Sequence, residues 1–110
     1  GKSPIYEPGL DDLLARNIAA GRLHFTTDAA AAHADADVIF ICVGTPSDDR
    51  GHTDLRYIFA AADAVADALR AKGPGQRPKT VVVKSTVPVG TSLAVAQRIA
   101  ERAGPGIPFF

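Results

Sequence analysis

"TVVVKSTVPVGT", Thr80 to Thr91, decides how this chain folds. Three consecutive valines belong in a protein interior, yet a lysine, hydroxyls, a proline and a glycine follow at once. The same transition occurs at "DVIFICVGTPS", Asp37 to Ser47. A short β-branched and aromatic run of this kind predicts a strand covered on both faces, as in a parallel sheet. The polar turn after it marks the strand's carboxyl end.

Between and around the two runs the sequence reads as helices. From about Asp54 to Lys72, the residues Leu55, Ile58, Phe59, Ala62, Val65, Ala66 and Leu69 form one apolar stripe. Thr53 is the expected N-cap, with Asp54 favoured by the dipole at one end and Arg70 and Lys72 at the other. Gly73-Pro74 predicts the stop. A second helix is expected from about Thr91 to Ala103, with Leu93, Ala96, Ile99 and Ala100 inward. Leu10, Leu13, Leu14 and Ile18 predict a helix near the start, ending at Gly21. "RLHFTT", Arg22 to Thr27, reads as a half-buried strand, Thr27 or Asp28 caps the alanine-rich turn after it, and "IPFF" begins another strand. Strands alternating with amphipathic helices predict an α/β fold: a parallel sheet with flanking helices.

Composition narrows the function. The 110 residues carry twelve acids and twelve bases, so no basic surface is offered to nucleic acid or membrane. Apolar runs reach about seven residues, far short of the roughly 20 needed to span a bilayer. Cys42 is the single cysteine, which excludes an internal disulfide and fits a cytoplasmic setting. Its place between Ile41 and Val43 predicts a buried, inert thiol. His24, His33 and His52 have no metal-ligand spacing. "GPGQRP" and "GPGIPFF" follow helices and lack a third glycine, so they read as turns and not as phosphate loops.

In an open parallel sheet, ligands bind beyond the carboxyl ends of the strands. Hydroxyls there sit on a rigid scaffold, and small residues such as Gly44 and Gly90 let a ligand approach the backbone. The arrangement suits a phosphorylated or polyhydroxylated ligand. Thr, Pro and Gly are also ordinary loop residues, so a non-catalytic module that binds a nucleotide or a partner remains an alternative.

The segments "GKSPIYEPGLDDLL", "GRLHFTTD", "ADVIFICVGTPS", "TDLRYI" and "VVVKSTVPVGT" occur in this order at natural spacing. Together they resemble the UDP-glucose/GDP-mannose dehydrogenase family, from Gly1 to about Ile99. "YEPGL" with "KSTVPVGT" is most similar to the members acting on UDP-glucose; "FICVGTPS" is equally at home in those acting on GDP-mannose. The resemblance implies an NAD-binding Rossmann domain, a nucleotide-sugar substrate whose C6 alcohol is oxidised to a carboxylate with two NAD, and a homo-oligomer. UDP-glucose is the implied substrate, with GDP-mannose or a UDP-N-acetylhexosamine as alternatives. It implies cofactor contacts at Val43, Gly44, Thr45, Pro46, Ser47 and Ser85, and a catalytic-site role for Thr86 in positioning a water or a substrate hydroxyl. The family's glycine fingerprint, its ribose-binding acid and its catalytic cysteine are not among these residues. Residues 1–110 therefore read as a partial NAD-binding domain without its first βαβ unit and without the catalytic domain. In the family's strand order 3-2-1-4-5-6, two strands would be missing between Arg22–Thr27 and Asp37–Val43, a gap of roughly 14 Å.

Open strand edges invite pairing with other chains. The 110-residue chain alone is expected to be aggregated, domain-swapped or partly disordered; a sharp monomeric unfolding transition with well-dispersed NMR peaks would contradict this.

Overall fold

The computed structural model describes residues 3–110. Its elements are α1 (Leu10–Ala19), α2 (Ala29–Asp35), β1 (Val38–Ile41), α3 (Arg56–Lys72), β2 (Thr80–Val83) and α4 (Thr91–Ala103). β1 and β2 pair in parallel, Val38 opposite Thr80 through Ile41 opposite Val83. The α/β reading holds: α3 is the crossover helix of a βαβ unit.

The core is α3 wedged between β1 and α4. Ile58, Ala62, Val65, Ala66 and Leu69 face Ile39 and Ile41 of β1 and Val95, Ile99 and Ala103 of α4. Ile58, Leu69, Ile99 and Val65 are the largest side chains buried completely. On the rim, Arg98 donates to Asp63 at 2.6 Å and Arg102 to Asp67 at 2.8 Å, one helical turn apart on both helices. Arg98 also lies 5.3 Å from the centre of the Phe59 ring. Hydrogen bonds from Arg98 and Arg102 hold the Asp63 and Asp67 carboxyls below the usual aspartate range.

The helix ends follow local chemistry. Asp28 caps α2, accepting the Ala31 N–H at 3.0 Å. α3 starts later than the sequence suggested: Leu55 is its cap residue, and the Asp54 carboxylate takes the Arg56 N–H at 3.0 Å. Thr53, expected as the cap, instead forms an antiparallel bridge with Ser47. Gly73 ends α3 at φ 76°, where a Cβ would be strained.

Several expectations fail for identifiable reasons. Arg22–Thr27 is not a strand. Among the described residues no strand lies beside it to share hydrogen bonds, and the N–H groups of Arg22 and Leu23 instead donate to Asn17 O at the end of α1. The C-terminal "IPFF" makes only a parallel bridge, Phe109 with Lys79, and not a full strand. β1 is covered on one face, not both: Val38 and Phe40 remain 49% and 58% exposed while Ile39 and Ile41 are buried; in β2, Val81, Val82 and Val83 are all half-buried. Cys42 continues the alternation onto the open face and is exposed, not buried. Leu93 and Ala100 point outward in α4; Thr91, Val95, Ile99 and Ala103 face the core at four-residue spacing, which puts Leu93 on the far side. α1 buries no residue. The radius of gyration is 16.0 Å, against about 13 Å for a compact chain of this length.

Lys79 was not singled out by the sequence. It is 5% exposed, and its ammonium donates to Ala34 O at 2.9 Å and Ala36 O at 2.5 Å. Lys72 donates to the same Ala34 carbonyl at 2.6 Å. Two cations thus satisfy carbonyls at the end of α2 and tie it to the base of β2.

Leu69→Ala is expected to destabilise the fold by about 2–5 kcal/mol in urea unfolding, because it empties the centre of the core. Since the folded state favours the charged forms of Asp63 and Asp67, their contribution is complete above about pH 4 and lost as pH falls below it. Asp63→Asn should flatten the stability loss measured over that acid range.

Candidate cofactor site

Parallel pairing in register brings the ends of β1 and β2 to one level. The chain leaves β1 after Ile41 and β2 after Val83. Ile41 O accepts the N–H groups of both Lys84, at 2.9 Å, and Ser85, at 3.2 Å, closing the ladder. Beyond that point the backbone pairing stops and side chains take over. The Ser85 hydroxyl donates to Val43 O at 2.6 Å, and the Thr45 hydroxyl donates to Thr86 O at 3.1 Å. Each turn therefore holds a carbonyl of the other.

The flanking segments are anchored separately. Val43 and Val87 pack against the core cluster. The Asp54 N–H donates to Pro46 O at 2.8 Å. The Asp48 carboxylate accepts the N–H groups of Arg50 and His52 at 2.9 and 2.8 Å, which folds the loop onto itself. Gly90 sits at φ 90° as the cap residue of α4, so its own backbone calls for glycine. The Thr91 hydroxyl donates to Pro88 O at 2.7 Å.

All the residues expected from the sequence gather at this rim. Gly44, Pro46, Ser47 and Thr86 are exposed, and Val43, Thr45 and Ser85 are half-buried. The Thr86 side chain makes no hydrogen bond among the described residues. Hydrogen bonds from Arg56 hold the Asp54 carboxyl below the ordinary aspartate range. The site is an open rim and not a closed pocket. An open groove of about 490 Å³ lies elsewhere, between α2 and α3, lined by Ala30, Ala34, Ala64 and Ala68. The cross-turn bonds are what the sequence concealed: it shows hydroxyls in both turns, but not which carbonyl each one meets.

Residues 1–107 match the NAD binding domain of the UDP-glucose/GDP-mannose dehydrogenase family. The chain belongs to that family. It is 52% identical over 102 residues to UDP-glucose 6-dehydrogenase of Rhizobium meliloti, covering 92% of this chain and 22% of the relative. Among solved structures, a UDP-glucose dehydrogenase from the hyperthermophilic archaeon Pyrobaculum islandicum superposes with a TM-score of 0.86 at 50% identity, over 98% of this chain and 24% of that one. A ternary complex of GDP-mannose dehydrogenase from Pseudomonas aeruginosa superposes with a TM-score of 0.89 at 45% identity, over 99% and 25%. The chain thus spans about a quarter or less of the length of these relatives. The domain it matches binds NAD, and the Rossmann-like reading of the two-stranded parallel unit stands. No described helix is long and apolar enough to cross a membrane.

Because Cys42 lies on the open sheet face, it should react readily with a thiol reagent in any monomeric folded fraction of the 110-residue chain. Strong protection, released only on unfolding, would show that this face is covered in solution.

Proposed function

We propose that these residues form the part of an NAD-dependent nucleotide-sugar dehydrogenase that holds the cofactor beside the reacting sugar carbon. Val43, Gly44, Thr45, Pro46, Ser47 and Ser85 are the proposed cofactor contacts. The observation that carries the reading is the Thr45–Thr86 hydrogen bond, which unites two turns from different strands at one rim. NAD fits the donor set here. The turns offer hydroxyl oxygens that can still accept, backbone N–H groups, and open space around Gly44, where an added Cβ would meet nothing within 4 Å. A dinucleotide is rich in the phosphate and hydroxyl oxygens that such groups recognise.

The bound cofactor would supply the acceptor for the hydride that leaves C6. Thr86 is the proposed catalytic-site residue. Its exposed hydroxyl can donate and accept at once, so it would orient a water or a sugar hydroxyl. It would not serve as the base, because an unaided alcohol is far too weak an acid to cycle as one near neutral pH. UDP-glucose, oxidised to UDP-glucuronate with two NAD, is the proposed substrate, in line with the likeness to UDP-glucose dehydrogenases. GDP-mannose is the second reading, favoured by the comparable likeness to GDP-mannose dehydrogenase. On either reading the remaining catalytic groups, including a nucleophilic cysteine, would come from outside residues 1–110.

Assay of the complete gene product with NAD and UDP-glucose, GDP-mannose or UDP-N-acetylhexosamines tests this directly. NADH formation with one of them is expected; none with any would leave a non-catalytic binding module. Thr86→Val should lower turnover by about 10- to 100-fold, the range for losing one positioning group, with NAD affinity little changed. Unchanged turnover would remove Thr86 from its role.

A further inference from the structure

We propose that Ser85 is a positioning residue whose hydroxyl, by holding the Val43 carbonyl, aims the Gly44 N–H at an oxygen of the bound dinucleotide. The inference rests on the functional reading above and assigns a specific donor atom within it.

The geometry is that of one peptide plane. In a trans peptide the C=O and the following N–H point in opposite directions, and the described residues contain no cis bond. Val43 O is fixed toward β2 by the Ser85 hydroxyl at 2.6 Å, the shortest of the cross-turn bonds. Ser85 is in turn fixed by its own N–H, which donates to Ile41 O at 3.2 Å. The Gly44 N–H is therefore turned away from β2. It has no hydrogen-bond partner among the described residues. The N–H groups of Thr45 and Ser47 in the same turn also have none there, whereas those of Asp48, Arg50, Gly51 and His52, in the loop just beyond, are paired. Val43 itself packs on the core, so the plane is anchored at one end by burial and at the other by the serine.

Without the Ser85 hydroxyl, Val43 O would lose its partner and the peptide could rotate toward water. The Gly44 N–H would then be presented to the ligand only part of the time. A hydrogen bond of this kind is typically worth several-fold to tenfold in binding. Thr45 makes the reciprocal bond, donating to Thr86 O, so the two hydroxyls control different things: Ser85 the cofactor donor, Thr45 the placement of Thr86.

The test uses the complete gene product, with calorimetric NAD affinity, melting temperature, and separate KM values for NAD and for the nucleotide sugar. Ser85→Ala should weaken NAD binding about three- to tenfold and raise the KM for NAD in parallel, with the KM for the sugar within about twofold. Ser85→Thr, which keeps the hydroxyl, should restore most of the affinity. Thr45→Val should lower kcat more than it weakens NAD binding, and Thr45→Ser should recover it. If the wild type binds no NAD, the functional reading itself falls. If the wild type binds NAD and Ser85→Ala binds it equally well, the positioning role alone is overturned, whatever happens to the melting temperature. Should Ser85→Ala fail to fold, amide exchange in the wild type decides: slowed exchange at Gly44 on saturation with NAD supports the proposal, and unchanged exchange overturns it.

Discussion

Everything at the candidate site depends on the parallel pairing of β1 with β2 in a register that sets Ile41 opposite Val83. That register makes both strands end at the same height. A slip of one residue would separate the two turns by about 3.3 Å along the strand and turn every side chain to the other face. Ser85 would then miss Val43 O, and Thr45 would miss Thr86 O. The register is fixed from below by Lys79 and the Phe109 bridge, and from the side by α3, whose apolar stripe accepts Ile39 and Ile41 but not their neighbours.

The same packing explains the lopsided shape. α3 and α4 share a continuous core with β1, and α2 lies against α3 without burying a residue. The opposite face of the sheet shows Val38, Phe40 and Cys42 to solvent, and α1 stands off with Leu13 and Ile18 exposed. Apolar residues run without a break along β1, as they would if both faces were meant to be covered. The site lies at the strand ends and draws its rigidity from the covered half, through Val43 and Val87.

Much of this was legible in the residues. The apolar period of Leu55 to Leu69 identified the crossover helix and its buried face, and the valine and isoleucine runs identified both central strands. The motif pair "VGTPS" and "KSTVPVGT" placed the candidate residues at the strand ends, where the structure gathers them. What failed did so where a partner decides the outcome. Arg22–Thr27 has strand-like alternation, but a strand exists only beside another. Cys42 looked buried because burial was inferred from its neighbours in sequence and not from what faces the sheet. In α4, hydrophobicity favours Leu93 as an inward residue, but the four-residue spacing from Thr91 through Ile99 sets the face. The roles of Lys79, Ser85 and Thr45 as donors to distant carbonyls lie in pairings between residues about 40 apart, which no local pattern encodes.

A crystal structure of the complete gene product with NAD bound tests the central claim most directly. The account predicts the cofactor lying against both turns at once, with the Thr45 hydroxyl on the Thr86 carbonyl and the Ser85 hydroxyl on the Val43 carbonyl. Cofactor density away from residues 43–47 and 85–86, or turns too far apart to share those bonds, would contradict it.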